Sequence, residues 1–169
     1  MITNNVIKLH QADINDIESL IEIEIESHQH QETGIVVDQA LNSLLLQEYK
    51  KRWLQKLQNG MATIMISFDQ QPAGFIAYSM QQEQAEIHNI YVISTLRRHQ
   101  LGKMLVMNAL EQIMKQTVSK VSVWLVKGRG QIIRFYENMG FIATSQSRVD
   151  RISNDVALIE KKYEMIINH

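Results

Sequence analysis

The spacing of apolar residues along this chain switches between that of helices and that of strands. Apolar residues recur every three or four positions, the spacing of one helix face, in four stretches, and they alternate or form short runs in seven others. Helices are predicted from Asp13 to Ile25, from Asp38 to the Asn59-Gly60 pair, from Leu101 to Met114 and from Gln131 to Met139. Strands are predicted at 6–10, 62–68, 73–80, 85–92, 121–126, 141–148 and 156–166. A three-strand meander followed by helices and further strands fits an α+β or mixed α/β sheet.

Polar residues mark the ends of these elements. Asp13, with Asp16 three residues later, forms the capping-box pattern of a helix N-terminus. The alternating run 22–26 would also fit a strand, but the helical stripe begins two turns earlier and favours a helix. A turn is predicted at 69–72, which holds the only proline, and Gly140 fits the end of the last helix.

Composition limits the possible functions. At 169 residues the chain fits a single domain, 1–169, and its net charge of −1 gives no electrostatic case for nucleic acid or an anionic membrane. It has no cysteine, so disulfides, thiolate metal sites and cysteine nucleophiles are excluded. His28 and His30 lack a third ligand in the sequence, and we expect no metal. Without a signal peptide or an apolar run long enough for a membrane, the expected location is cytoplasmic.

A basic turn separates the third meander strand from the long helix. Its sequence is Arg97-Arg98-His99-Gln100-Leu101-Gly102, and Lys103 follows. Backbone N–H groups at a helix N-terminus, the positive end of the helix dipole and two guanidinium groups can converge on one anion. The turn is therefore predicted to hold a phosphate or pyrophosphate.

The stretch from Tyr91 to Leu105, Y-V-x-x-x-x-R-R-H-Q-L-G-K-M-L, resembles the acyl-CoA-binding segment of the GNAT superfamily of N-acetyltransferases. Arg97 and Gly102 fit the ends of that family's pattern, while Gln100 stands where the family usually has glycine. A left-handed conformation at a residue with a side chain costs roughly 1–2 kcal/mol. We therefore expect Gln100 either to keep an ordinary conformation or to shift the loop.

A second segment strengthens the resemblance. The run R-F-Y-E-N-M-G-F from Arg134 to Phe141 is similar to the family's F-Y-x-x-x-G-F segment and lies in the expected order. The resemblance implies a GNAT-like fold, with a central twisted mixed sheet of about seven strands and about four flanking helices. Arg129 and Ile132 replace the Asn and Ala that are common in the family. The implied binding residues for acetyl-CoA are Ile90, Tyr91, Val92, Arg97, Arg98, His99, Gln100, Leu101, Gly102, Lys103, Arg129 and Phe135.

The resemblance also implies residues for the chemistry. Tyr136 aligns with the family's general acid, and a phenol with an ordinary pKa of about 10 is neutral at pH 7 and can donate to a thiolate. A backbone N–H in the stretch 90–92 would stabilise the oxyanion. Glu86 and His88 lie on one face of their predicted strand. Either of them, or a chain of waters, is the candidate base that takes the proton from the amine.

The implied function is acyl transfer from acetyl-CoA to a primary amine of a small molecule, polyamine-like or amino-acid-like, or of a peptide. The alternative is a protein that binds CoA as a sensor and does not catalyse a reaction. Gln100, Arg129 and Ile132, which replace the usual Gly, Asn and Ala of the family, would fit such a degenerate site. A nucleotide-binding regulator is disfavoured because the turn lacks the upstream glycine of a phosphate-binding loop. A homodimer is expected only by analogy with the family.

Overall fold

The computed structural model describes residues 5–29, 42–151 and 156–168. The strands are β1 (Ile7–Gln11), β2 (Ala62–Phe68), β3 (Gln71–Gln81), β4 (Gln84–Val92), β5 (Lys120–Val126), β6 (Ile142–Arg151) and β7 (Ala157–Ile166). The helices are α1 (Ile17–Gln29), α2 (Asn42–Gln58), α3 (Leu101–Met114) and α4 (Gly130–Asn138). Short 3₁₀ turns cover Ile14–Asp16 and Ser94–His99. The predicted elements are confirmed to within a few residues, but the Asp38 cap lies outside the described residues.

The strands form one sheet in the order β1-β2-β3-β4-β5-β7-β6. β4 and β5 are parallel, whereas β1–β2, β2–β3, β5–β7 and β6–β7 are antiparallel. This mixed sheet with its helices confirms the predicted fold class. Among the described helices, none is both long and apolar enough to cross a bilayer.

Local chemistry explains where the elements end. The Asp13 carboxylate accepts from the Asn15 N–H at 2.7 Å, and the Asp16 side chain accepts from the Asp13 N–H at 2.9 Å, which confirms the capping box. Gly60 ends α2 at a φ of 82°, while the Met61 N–H reaches the Lys56 carbonyl at 3.0 Å. The run 22–26 is helical, as predicted.

The turn predicted at 69–72 is shorter than expected. Asp69 and Gln70 alone make it, with φ angles of 49° and 68°, the left-handed pair that matches the twist of a hairpin. Pro72 lies inside β3 opposite Ser67, next to an irregularity in the register of β2. A proline is tolerated there because a bulge relaxes the need for a ladder hydrogen bond.

The chain folds as two compact units. The first consists of the described residues of Met1–Tyr78 and Asn89–Glu111, and the second of Ser79–His88 and Gln112–His169. In the first unit, α1, α2, β2 and β3 enclose a core in which Leu20, Trp53 and Phe75 are almost completely buried. The two tryptophans of the chain, Trp53 and Trp124, lie in different units.

A buried carboxylate joins α1 to α2 in the first unit. Glu24 is 7% exposed, accepts a 2.8 Å hydrogen bond from the Trp53 indole N–H and lies 3.4 Å from the Arg52 guanidinium. Burial alone would raise the pKa of Glu24. Hydrogen bonds from His28 and Trp53, with the charges of Arg52 and Lys56, outweigh burial and lower that pKa below its ordinary value.

This carboxylate should make folding stability depend on pH. Because the pKa of Glu24 is depressed in the folded state, its stabilisation is present above the unfolded value of 4.5 and is lost as the pH falls through the folded value. Urea unfolding of Glu24→Gln from about pH 6 to about pH 3 should therefore show a weaker loss of stability with acid than the parent. Glu18→Gln, an exposed substitution in the same helix, is the matched control and should keep the parent slope.

The second unit has an apolar face and a polar face. On the apolar side the strand residues are buried; they are Ala85, Ile87, Val121, Val123, Leu125 and Tyr163. Tyr136 in α4 and Phe141 after it are buried as well. Gly140 takes a φ of 101° after α4, and the Phe141 N–H returns to the Tyr136 carbonyl at 3.1 Å. Residues at the alternate positions of the same strands form the other face.

Candidate active site

The basic turn lies immediately before α3, as predicted. Ser94–His99 forms a 3₁₀ turn, Gln100 follows at φ 59° and ψ 17°, and the Met104 N–H donates to the Gln100 carbonyl at 3.1 Å. Gln100 is therefore left-handed, and the expectation of an ordinary conformation there was wrong. Gln100 thus takes the backbone conformation that glycine adopts most easily. α3 begins directly after it, and the first N–H groups of a helix have no partner within the helix.

The side chains of the turn divide into exposed cations and anchored residues. Arg97, Arg98 and Lys103 are exposed, and the Arg97 Nε donates to the Val92 carbonyl at 3.5 Å. The His99 ring packs against Phe68 with the ring centroids 5.0 Å apart, and the Leu101 side chain is fully buried. Because its side chain is buried, Leu101 can contact a ligand only through its backbone N–H.

Relief of the left-handed strain should stabilise the protein. Gln100→Gly is expected to raise the free energy of unfolding by about 0.5–1 kcal/mol, because roughly 1–2 kcal/mol of strain is removed and part is offset by the entropy of glycine. Urea denaturation measures the change. Gln47→Gly, in the exposed interior of α2, should instead lower it by about 1 kcal/mol. A loss of stability in both variants would contradict the strain at Gln100.

The second half of β4 carries the stretch proposed to hold the oxyanion. The Gly74 position has no room for a side chain, since a Cβ there would lie 2.4 Å from the Tyr91 carbonyl oxygen. Next to it, the Ile93 N–H donates to the Ala73 carbonyl at 2.9 Å. Gly74 was not predicted as a site residue, since its only signal in the sequence is a glycine inside a predicted strand. This residue permits the close backbone approach around the stretch 90–92.

The Tyr91 side chain belongs to the core of the first unit. Its ring packs edge-on against Phe75 at 5.3 Å and against His28 at 5.6 Å. Burial first, with the Glu24 carboxylate second, raises the pKa of Tyr91 to about 12. The phenol is thus neutral at physiological pH. The flanking residues Ile90 and Val92 are half-buried.

The second unit brings both candidate bases together. The His88 Nδ1 lies 3.4 Å from the Glu86 carboxylate, and its Nε2 lies 2.7 Å from the Ser79 hydroxyl. The neutral tautomer that satisfies both contacts has its proton on Nδ1, facing Glu86, and accepts the Ser79 proton at Nε2. The sequence placed Glu86 and His88 on one face; it did not predict Ser79, which approaches from the neighbouring strand.

The segment after β5 places Tyr136 inside the second unit. Tyr136 is 1% exposed and packs edge-on against Phe135 and Phe141 at 5.2 and 5.3 Å. Burial raises the pKa of this phenol, which keeps it protonated. Arg129, half-buried, is the N-cap residue of α4, and Ile132 in its first turn is half-buried. No group of three or more metal-binding side chains occurs in 5–29, 42–151 and 156–168, and His30 lies outside these ranges.

Comparison with known proteins places this architecture in a family. Residues 17–141 match the model of the acetyltransferase (GNAT) family. A curated relative, spermidine N(1)-acetyltransferase of Thermoplasma acidophilum, is 24% identical over 164 residues, which cover 94% of this chain and 98% of the relative. The family model covers both the basic turn and the segment around Tyr136.

Solved structures share the fold at low sequence identity. The ribosomal-protein-S18-alanine N-acetyltransferase of Escherichia coli superposes with a TM-score of 0.77 at 15% identity, covering 97% of this chain and 96% of its own. The PaiA N-acetyltransferase of Thermoplasma acidophilum, solved in complex with coenzyme A, gives a TM-score of 0.69 at 22% identity, covering 94% and 99%. With the family model spanning most of its length, the chain belongs to the GNAT family of N-acetyltransferases.

Proposed function

We propose that the protein transfers an acetyl group from acetyl-CoA to a primary amine of a small molecule or peptide, with His88 as the base. The observation that carries this assignment is that the side chains of Ser79, His88 and Glu86 contact one another in series on one face of the β3–β4 hairpin. The named relative acts, by its name, on spermidine, which supports an amine acceptor. The family match supports acetyl-CoA as the donor.

The basic turn suits the pyrophosphate of the donor. Arg97, Arg98 and Lys103 supply exposed positive charge, and Gln100, Leu101 and Gly102 supply backbone N–H groups at the start of α3. The exposed His99, whose ring contacts Phe68, is a further binding residue of the turn. The resemblance to the family also implies Arg129 and Phe135, both half-buried, as binding residues for acetyl-CoA.

The proton path follows the hydrogen bonds of His88. The acceptor ammonium gives a proton to the Ser79 hydroxyl, which passes its own proton to His88 Nε2 at 2.7 Å. The imidazolium that forms is stabilised by the Glu86 carboxylate at 3.4 Å. Glu86 is accordingly assigned as a positioning residue. The neutral amine then attacks the thioester carbonyl, the C–N bond forms and the C–S bond breaks.

Two further groups serve the departing thiol and the oxyanion. Tyr136, which burial keeps protonated, can give its proton to the thiolate, and the second proton that the nitrogen loses as the amide forms restores the phenol. A backbone N–H of the stretch 90–92 can donate to the carbonyl oxygen as its charge develops. Gly74 supports that second role because it lets β3 approach the Tyr91 carbonyl closely.

A thiol-release assay tests the proposal. Purified protein with acetyl-CoA is offered a panel of primary amines that includes diamines, polyamines, amino acids and a peptide N-terminus, and released CoA thiol is measured. Turnover with at least one amine, confirmed by the mass of the acetylated product, is the expected result. Binding of CoA by calorimetry with no turnover on the whole panel would instead support the non-catalytic CoA sensor.

A further inference from the structure

The polar face of the second unit is a continuous surface that starts at the proposed base. β4 and β5 pair with Glu86 beside Ser122, and β5 and β7 pair with Ser122 beside Glu164 and Trp124 beside Lys162. β7 and β6 pair with Glu160 beside Arg148. Residues directly opposite one another share a face, and side chains two positions apart do so as well. Glu86, His88, Trp124, Glu160 and Arg148 are therefore all on this face.

On this surface one guanidinium is held at two points. The Arg148 Nε donates to the Glu160 carboxylate at 2.5 Å, and the guanidinium carbon lies 4.4 Å from the centre of the Trp124 ring. Glu160 is 11% exposed, so this carboxylate is a buried anchor, whereas Arg148 is 47% exposed. The indole on which the guanidinium rests belongs to β5, the strand adjacent to the one that carries His88.

The contacts of Arg148 with Glu160 and Trp124 leave its terminal Nη groups available to a ligand. Only Nε is used by Glu160, and within the described part of the chain the terminal Nη groups of Arg148 make no hydrogen bond to the protein. A guanidinium whose plane and Nε are already fixed loses little conformational entropy when it binds, and its terminal groups match the two oxygens of a carboxylate. The Lys120 and Lys162 ammonium groups, by contrast, lie near Glu164, at 3.5 and 3.3 Å.

We propose that Arg148, positioned by Glu160 and Trp124, is a receptor for a carboxylate on the acceptor, and that the substrate class is amino acids or peptides that carry an amine and a carboxylate. The assignment of Arg148 rests on the proposed function. It narrows the acceptor to the amino-acid-like class and away from the polyamine-like class. The alternative, a second ammonium of a diamine on the Trp124–Glu160 pair, is disfavoured because a cation of the protein already occupies both groups.

Matched acceptors separate the two classes. L-Lysine and cadaverine differ by one carboxylate, and so do L-ornithine and putrescine. Initial rates with acetyl-CoA are measured for each pair with the parent protein and with Arg148→Met, which retains packing area on Trp124. The expected result is a higher kcat/KM for the amino acid of each pair and a loss of about ten-fold or more in Arg148→Met, mainly through KM, with the diamine rates unchanged. The KM for acetyl-CoA should not move.

A binding measurement keeps the inference testable without turnover. Trp124 and Trp53 are the only tryptophans, so the ¹H–¹⁵N spectrum contains two indole resonances, which Trp124→Phe assigns. Titration with glutarate, a dicarboxylate without an amine, should shift the Trp124 resonance in the parent and not in Arg148→Met. Absence of turnover on every amine would remove the proposed function, while a glutarate shift that depends on Arg148 would still establish the carboxylate receptor.

Two outcomes would overturn the inference. A preference for cadaverine and putrescine over the amino acids would assign the surface to a second ammonium. An equal effect of Arg148→Met on all four acceptors, with no glutarate-dependent shift of Trp124, would reduce the contact to a structural ion pair. Urea denaturation checks that Arg148→Met is folded, since a folded variant should unfold at the same midpoint as the parent.

Discussion

His88→Ala is expected to lower kcat by about a hundred-fold to a thousand-fold, with the affinity for acetyl-CoA unchanged. The physical reason is that His88 contacts both the Ser79 hydroxyl, at 2.7 Å, and the Glu86 carboxylate, at 3.4 Å, so its loss removes the proposed proton acceptor. Initial rates with the best amine of the panel and calorimetry with CoA measure the two quantities separately.

The same experiment ranks the neighbours of His88. Ser79→Ala and Glu86→Gln should cost less than His88→Ala, because each removes a partner of the imidazole and leaves the imidazole itself. Glu86→Gln should also shift the pH–rate profile, since it removes a negative charge 3.4 Å from His88. Unchanged pH–rate profiles in both His88→Ala and Glu86→Gln would remove His88 from the role of base and Glu86 from the role of positioning it.

Trp53→Ala is expected to lower the free energy of unfolding by about 3–5 kcal/mol. The indole is 1% exposed and packs edge-on against Phe75 at 5.1 Å, so its removal leaves a large cavity in the first unit. It also removes the N–H that donates to Glu24 at 2.8 Å and leaves a buried carboxylate with one donor fewer. Urea denaturation followed by circular dichroism measures the change.

A smaller substitution separates the two contributions. Trp53→Phe keeps most of the ring but not the N–H, and a loss of about 1–3 kcal/mol is expected from the Glu24 hydrogen bond. Equal losses in Trp53→Phe and Trp53→Ala would assign the whole effect to that bond. A loss below about 1 kcal/mol in Trp53→Ala would contradict the packing described around Phe75.

Periodicity and caps were sufficient to predict most of the fold. The Asp13 capping box, the helical run 22–26 and the glycines that end α2 and α4 depend on local chemistry, which a sequence displays directly. Pro72 was misplaced because the bulge that tolerates it arises from the pairing of β2 with β3. Of the two alternatives for Gln100, the ordinary conformation was wrong, because intrinsic preference opposes a left-handed residue whereas Gln100 takes that conformation where the 3₁₀ turn meets α3.

The candidate site was predictable in part for a related reason. Residues on one strand, such as Glu86 and His88, share a face by simple alternation, and their proximity followed from the sequence. Ser79, Gly74 and the Arg148–Glu160–Trp124 group depend on which strands are neighbours and in what register. A single sequence does not encode that register in a readable form.

One tryptophan in each unit gives the chain an internal test of folding cooperativity. With Trp124→Phe the remaining fluorescence reports on the core around Trp53, and with Trp53→Phe it reports on the β5–β7–β6 region. Coincident urea transitions at the two fluorophores, once each is corrected for the cost of its own substitution, would indicate all-or-none unfolding. Separate transitions would show that the strand carrying His88 can melt while the α1–α2 core persists, and enzyme inactivation would then precede global unfolding.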